Sequence, residues 1–376
     1  MRAITHPSLL PRSSPAPVRL YVADLPGVDQ LLPYLRRLDE TRTYSNFGPL
    51  ETDLRRGLGR LLDPACPPEV ALASSGSDAL ALALRALDLP PGARVLLPAL
   101  TFPATAWAVQ AAGLTPVLAD VDAEAWVLTP EIAEAHLDGV AAVLPVATFG
   151  LALDAAAWDD FTDRTGLPVV FDAAAALIRQ PMPRRCVAVF SLHATKPLGV
   201  GEGGLVAAHD PDLIDMVRRL SNFGFDGVRV TRASGNAKLS EYHAAVGLAQ
   251  LARAPQIRAA LDRAREAYGR HLPAHLTPPG EMSGLVVAVP AAAEAAAGLA
   301  AVGVETRQWF QPDLTGHPAY QAMARAGDLP NTAGLRGRIL GLPFHGHLAE
   351  DDIIRVCAQL KAALALRAAV PEAQRV

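Results

Sequence analysis

From about residue 70 to residue 210 the sequence alternates short apolar, β-branched runs with alanine- and leucine-rich runs of helical period. The strand candidates are Val70–Ala73, Arg94–Leu97, Thr115–Ala119, Ala141–Val146, Pro168–Phe171, Ala188–Leu192 and Gly204–Ala208. Helical periodicity fills several of the gaps, as in Asp78–Leu87 and Thr105–Ala112. Such alternation predicts an α/β fold with a mostly parallel central sheet, and ligands of that sheet gather at the carboxyl ends of its strands.

A chain of 376 residues exceeds the size at which one core stops growing, so two domains are expected. A long helical pattern runs from Ser240–Ala254 onward, followed by "LVVAVP" and a further helix–strand alternation that ends in "AEDDIIRVCAQLKAALALR". We therefore expect an N-terminal arm and large domain over residues 1–250 and a smaller C-terminal α/β domain over 251–376. The opening "MRAITHPSLLPRSSPAPVRL" is broken by His6, Pro7, Pro11 and Arg12, and reads as a proline-rich arm rather than a signal peptide. The alanine-rich "PAAAEAAAGLAAVG" is too short to cross a bilayer and carries Glu294, so it reads as a small-domain helix.

A net charge of -4 offers no basic stripe to nucleic acid, which leaves small-molecule chemistry as the expectation. Cys66, Cys186 and Cys357 show neither CxxC nor Cys/His ligand spacing. They read as reduced thiols of a cytoplasmic protein that holds no metal.

Three strand ends carry chemistry. In "EVALASSGSDALALALRALDL" a strand, a Ser/Gly turn and a helix follow one another, and such a turn gathers backbone N–H groups and a helix N-terminus around one point suited to phosphate. Asp78 would repel a phosphate unless it faces away, and can instead cap the helix. In "PVVFDAAAAL" a hydrophobic strand ends in Asp172, a carboxylate that needs a partner if buried. A protonated pyridine nitrogen is one such partner. In "VFSLHATKPLGVGEGGLV" stands Lys196, one of three lysines in a chain with 34 Lys plus Arg. Of these two cations only lysine can shed its proton and become a nucleophile. Phosphate cradle, acid and lysine, in that order, are what pyridoxal 5′-phosphate asks of a protein.

At these residues the sequence resembles the DegT/StrS-type sugar aminotransferases, a fold-type-I pyridoxal-phosphate family, over most of its length from "YSNFGPLETDL" to "LPFHGHLAEDDI". The most specific motif is "FSLHATKPLGVGEGG", beside "SSGSDAL", "PALTFPATA", "DAAAA" and "GNAKLSEYHAAVGLAQL". The resemblance implies a mixed, mostly parallel sheet between helices in the large domain, and pyridoxal phosphate as cofactor. It implies that Lys196 bonds the cofactor and shuttles the proton, that Asp172 pairs with the pyridine nitrogen, and that Phe102 stacks on the ring. Gly76, Ser77 and Ser191 would hold the phosphate. Asn236 matches an asparagine that the family sends across a dimer interface to the neighbouring phosphate, and Lys238 a basic position near the substrate. Where the family carries Gln or His to help contact the cofactor's 3′ oxygen, this chain has Ala175. His193 is expected to serve structural hydrogen bonding, since the lysine itself is present.

The reaction implied is transfer of an amino group from glutamate or glutamine to a nucleotide-linked keto-deoxysugar, with a 4-keto-6-deoxyhexose foremost. In "VETRQWFQPDLTGHPAYQ", which resembles a segment near the substrate in such relatives, Arg307 and Trp309 are the substrate-facing candidates. A keto-cyclitol aminotransferase and a non-catalytic regulatory relative are the alternatives. The active unit is expected to be a homodimer with shared sites, working on small molecules without nucleic acid or membrane.

Overall fold

The computed structural model describes residues 16–369, so most of the proline-rich arm lies outside the described residues. The chain enters through α1 (Val28–Thr41) and α2 (Pro49–Leu62) and then alternates: β1 (Glu69–Ala73), α3 (Gly76–Ala86), β2 (Arg94–Pro98), α4 (Pro103–Ala111), β3 (Thr115–Ala119), α5 (Pro130–Glu134), β4 (Val140–Val143), α6 (Ala155–Thr165), β5 (Val170–Asp172), β6 (Val187–Ser191) and β7 (Gly204–Ala208). All seven expected strands form, and the third and seventh have the expected bounds. There follow α7 (Pro211–Ser221), α8 (Glu241–His271), β8 (Leu285–Ala288), α9 (Ala292–Ala300), β9 (Ala324–Arg325), α10 (Pro330–Gly334), β10 (Ile339–Leu342) and α11 (Glu350–Ala369).

The strands β4-β2-β3-β9 pair in parallel throughout, while in β1-β7-β6-β5 the strand β7 runs against both neighbours. Single parallel bridges, Val143 with Val169 and Val146 with Asp172, join the two halves. The layer is thus a mostly parallel α/β sheet. Every residue of β6 and β7 is buried, which is why these strands read as unbroken apolar runs rather than as alternating ones. α3 covers one face with Ala79–Leu84, all buried.

The C-terminal part holds the antiparallel pair β8–β10, with α11 packed on both α9 and α8. The 31-residue α8 spans both parts, and residue 250 falls inside it. Pro255 removes one N–H from the helix ladder, yet the helix continues because Ala254, Ile257, Leu261, Ala264 and Tyr268 bury one face at helical spacing. The segment ahead of α1 lies on the C-terminal part: Val18 bridges Val304, and Leu20 C=O accepts from Phe344 N–H at 3.2 Å.

Candidate active site

The ends of β1, β5 and β6 and the start of α4 converge. Ser75 caps α3, accepting the Asp78 N–H at 3.0 Å, so the cap is Ser75 rather than Asp78. The Asp78 carboxylate accepts instead from the hydroxyls of Ser74 at 2.5 Å and Ser75 at 2.9 Å. Those two hydroxyls are therefore engaged, while Gly76 and Ser77, the first two residues of α3, present backbone N–H groups that have no acceptor within the helix. Ser191, the last residue of β6, closes on them. A Cβ on Gly76 would stand 2.8 Å from Ser191 Cβ and 3.0 Å from its Oγ, so only glycine keeps this approach open.

Asp172 ends β5, pairs in register with Val189 of β6, and is 8 % exposed. Its Oδ2 accepts from Thr105 Oγ1 at 2.7 Å and its Oδ1 from Ala174 N–H at 3.2 Å. Burial pushes its carboxyl above the usual carboxylate range, while the Thr105 and Ala174 bonds and the Lys196 charge oppose that rise. Lys196 stands in the turn after β6, where its N–H donates to His193 C=O at 2.8 Å. Burial lowers its amine below the ordinary lysine value, and the Asp172 charge works the other way. A carboxylate and a lysine that each favour losing their charge, side by side at a sheet end, suit acid–base and covalent work.

Thr105 was not among the residues singled out by sequence. Its signal lay in "PALTFPATA", where Thr101 and Thr105 stand four apart across the start of α4 and share a 2.7 Å hydroxyl contact. Phe102 is the N-cap of α4 and is 54 % exposed. His193 makes local bonds, its N–H donating to Ser191 Oγ at 3.2 Å and its Nδ1 lying 2.9 Å from Thr195 Oγ1.

Asn236 lies exposed in the long connection between α7 and α8, next to Ala237, whose C=O accepts from Ser74 N–H at 2.8 Å. Lys238 Nζ donates to Asn222 Oδ1 at 2.6 Å and sits 5.2 Å from the Phe223 ring centre, and burial lowers its amine. Arg307 holds its guanidinium 4.5 Å above the Trp309 ring, which in turn meets Tyr21 edge-on at 6.1 Å. Phe310 stacks on Phe149 at 4.9 Å. Beside Phe149, Gly150 approaches Ala175 so closely that a Cβ there would lie 2.8 Å from the Ala175 C=O. Aromatic contact thus links the Arg307 segment to the loop that follows Asp172.

These residues fit pyridoxal phosphate: a glycine-dependent anion cradle, a buried carboxylate whose ordinary partner would be a ring cation, and a lysine of depressed basicity. The three cysteines are free, as expected. Among the described residues no His/Cys/Asp/Glu group could hold a metal, and no helix is long and apolar enough to cross a membrane.

Comparison with known proteins agrees. The sequence profile of the DegT/DnrJ/EryC1/StrS aminotransferase family matches residues 29–361. The dTDP-4-amino-4,6-dideoxy-D-glucose transaminase of Shigella dysenteriae is 26 % identical, over 92 % of this chain and 98 % of that one. The UDP-N-acetyl-3-dehydro-alpha-D-glucosamine 3-aminotransferase of Acidithiobacillus ferrooxidans is 30 % identical, over 85 % and 96 %. A solved structure of DesI in the presence of its TDP-sugar product superposes with a TM-score of 0.81 at 30 % identity, covering 94 % of each chain. With its strand order, anion cradle and lysine in place, the chain belongs to the DegT/DnrJ/EryC1/StrS aminotransferase family and is a pyridoxal-phosphate-dependent transaminase.

Proposed function

We propose that the chain moves an amino group from glutamate or glutamine to a nucleotide-linked keto-deoxysugar, a 4-keto-6-deoxyhexose foremost. The observation that carries the sugar-nucleotide reading is the Arg307 segment. An exposed guanidinium stacked on Trp309 offers charge to a diphosphate, and the Phe310–Phe149 stack sets it within one loop of Ala175 and Asp172. The two relatives named above use different nucleotides and aminate different carbons, so their shared chemistry supports the class of substrate.

Pyridoxal phosphate, once bound, supplies an electron-accepting ring and a carbon that carries the amino group between donor and acceptor. In this reading the N–H groups of Gly76 and Ser77 and the Ser191 hydroxyl hold its phosphate, and Phe102 covers its ring. Asp172 would keep a proton on the ring nitrogen, and the Thr105 hydroxyl orients that carboxylate and favours its charged form. Lys196 Nζ is the attachment point and, when released, the carrier of the substrate proton. Burial lowers the basicity of that amine, which favours the neutral form that both tasks need.

The active unit in this proposal is a homodimer in the cytoplasm. Phe223, Phe225, Val228 and Val230 stand exposed in the connection that bears Asn236 and Lys238. A cluster of apolar side chains in a surface loop fits a partner subunit that buries them, and Asn236 would then reach the partner's phosphate cradle.

Supplying the loaded enzyme with glutamate or glutamine, and then with a panel of 4-keto and 3-keto sugar nucleotides and keto-cyclitols, tests the substrate reading. Amination of a 4-keto-6-deoxyhexose nucleotide with the highest kcat/KM is expected. Turnover confined to a keto-cyclitol, or to a sugar without nucleotide, overturns it.

A further inference from the structure

Gln250 lies inside α8 and is 1 % exposed, with both ends of its carboxamide engaged. Its Nε2 donates to Asp24 C=O at 2.7 Å and to Gly199 C=O at 3.0 Å, and its Oε1 accepts from Arg253 Nη1 at 2.9 Å. The first carbonyl belongs to the segment ahead of α1; the second belongs to the turn that carries Lys196.

That turn is under strain. Leu198 has φ +60°, in the left-handed region that a leucine rarely adopts. At Gly199 a Cβ would lie 2.6 Å from His193 C=O and 2.9 Å from Ala194 C=O. Inside the turn, Gly199 N–H donates to Lys196 C=O at 3.0 Å and Val200 N–H to Leu192 C=O at 2.8 Å. An unfavourable backbone conformation persists only where its surroundings hold it. Gln250 supplies such a hold from outside, on the carbonyl one residue beyond Leu198.

The far side is fastened as well. The Asp24 carboxylate receives Arg253 Nη2 and lies 3.7 Å from His347 Nε2. The same segment accepts the N–H groups of Glu305, at Val18 C=O, and of Phe344, at Leu20 C=O.

We infer that Gln250 is a positioning residue for Lys196, whose one carboxamide fixes the turn that aims the lysine and couples that turn to the docking of the N-terminal segment. The inference rests on the reading in which Lys196 bonds the cofactor. A carboxamide suits the task because its two N–H donors can serve two carbonyls at once while its oxygen takes Arg253.

The test is Gln250→Leu, of similar size but without the donors. In the cofactor-free protein, hydrogen exchange at Lys196, Gly199 and Val200 should quicken by about tenfold or more, with the amides of β6 and β7 unchanged. In the loaded enzyme kcat should fall by roughly tenfold to a hundredfold, as for a misaimed reacting group, with KM for the amino donor within about twofold. If exchange quickens along α8 alone and kcat holds, Gln250 merely anchors the helix and the inference is overturned. Where Gln250→Leu does not fold, Asp24→Ala takes its place. It should quicken exchange at Glu305 and Phe344 and, through Gln250, at Gly199 and Val200. Unchanged exchange at the latter two overturns the coupling. A wild-type protein that bonds its cofactor at another lysine would sink the Lys196 reading instead, and leave the exchange result standing.

Discussion

Thr105 donates a 2.7 Å hydrogen bond to Oδ2 of Asp172, from the first turn of α4 to the end of β5. Because Thr101 Oγ1 lies 2.7 Å from the same hydroxyl, the carboxylate sits at the end of a two-threonine chain. A hydrogen bond to a charged group favours the charged form, and here it works against burial. The pair thus opposes, without cancelling, the rise that burial imposes on the Asp172 carboxyl.

Thr105→Val keeps the shape and removes the donor. Asp172 should then protonate more readily, so the acidic limb of the rate profile moves to higher pH. Bonds to charged groups contribute about 1.5–3 kcal/mol, so activity on the acid side should fall by roughly tenfold or more. A pH–rate profile checks this, and an unmoved acidic limb would show that Thr105 does not tune Asp172.

Asp172→Asn should separate activity from stability. Transamination should fall by roughly 10²–10³, since an amide cannot keep a proton on the ring nitrogen, while cofactor stays bound. Burial raises the folded-state pKa of Asp172 above its unfolded value. Between those two values the folded chain holds a proton that the unfolded chain has released, so stability falls as pH rises through that window. The cofactor-free variant lacks this loss and should melt higher than cofactor-free wild type at neutral pH. Calorimetry of both, without cofactor, decides the point.

The strand ends were legible because buried parallel strands are apolar throughout and end abruptly in Ser/Gly turns, in Asp172 or ahead of Lys196. The Thr105–Asp172 bond was not, since the partners are 67 positions apart and a threonine near a helix start commonly caps. The part played by Asp78 stays open in the sequence for a related reason: "SSGSD" contains both a serine and an aspartate able to cap α3, and only the fold shows that Ser75 does so. Gln250 was invisible for lack of contrast, as one glutamine in an alanine-rich helical pattern.

Gly76→Ala should release the cofactor. The added Cβ would stand 2.8 Å from Ser191 Cβ, so either β6 or the start of α3 must shift and the N–H groups lose their common aim. Cofactor retention on dialysis should drop by about tenfold or more, as expected for the loss of charge-assisted bonds, while the fold survives by circular dichroism. Full retention would place the phosphate elsewhere.

A shared site can be read by mixing. Lys196→Ala and Asn236→Asp subunits are each expected to be inactive or nearly so, the second because its new carboxylate repels the partner's phosphate. In the mixed dimer the lysine-deficient subunit lends its normal Asn236 to the site that keeps Lys196. Activity should rise above either parent once subunit exchange is verified. No rise would mean that Asn236 serves its own chain or neither site.

The account turns on which lysine bonds the cofactor, and the chain has three: Lys196, Lys238 and Lys361. Borohydride reduction of the loaded enzyme followed by peptide mapping locates the bond directly. The account predicts a pyridoxyl group on the peptide containing Lys196 and on neither other lysine. A group on Lys238 or Lys361, or an unmodified Lys196 in an enzyme that still transaminates, would contradict it.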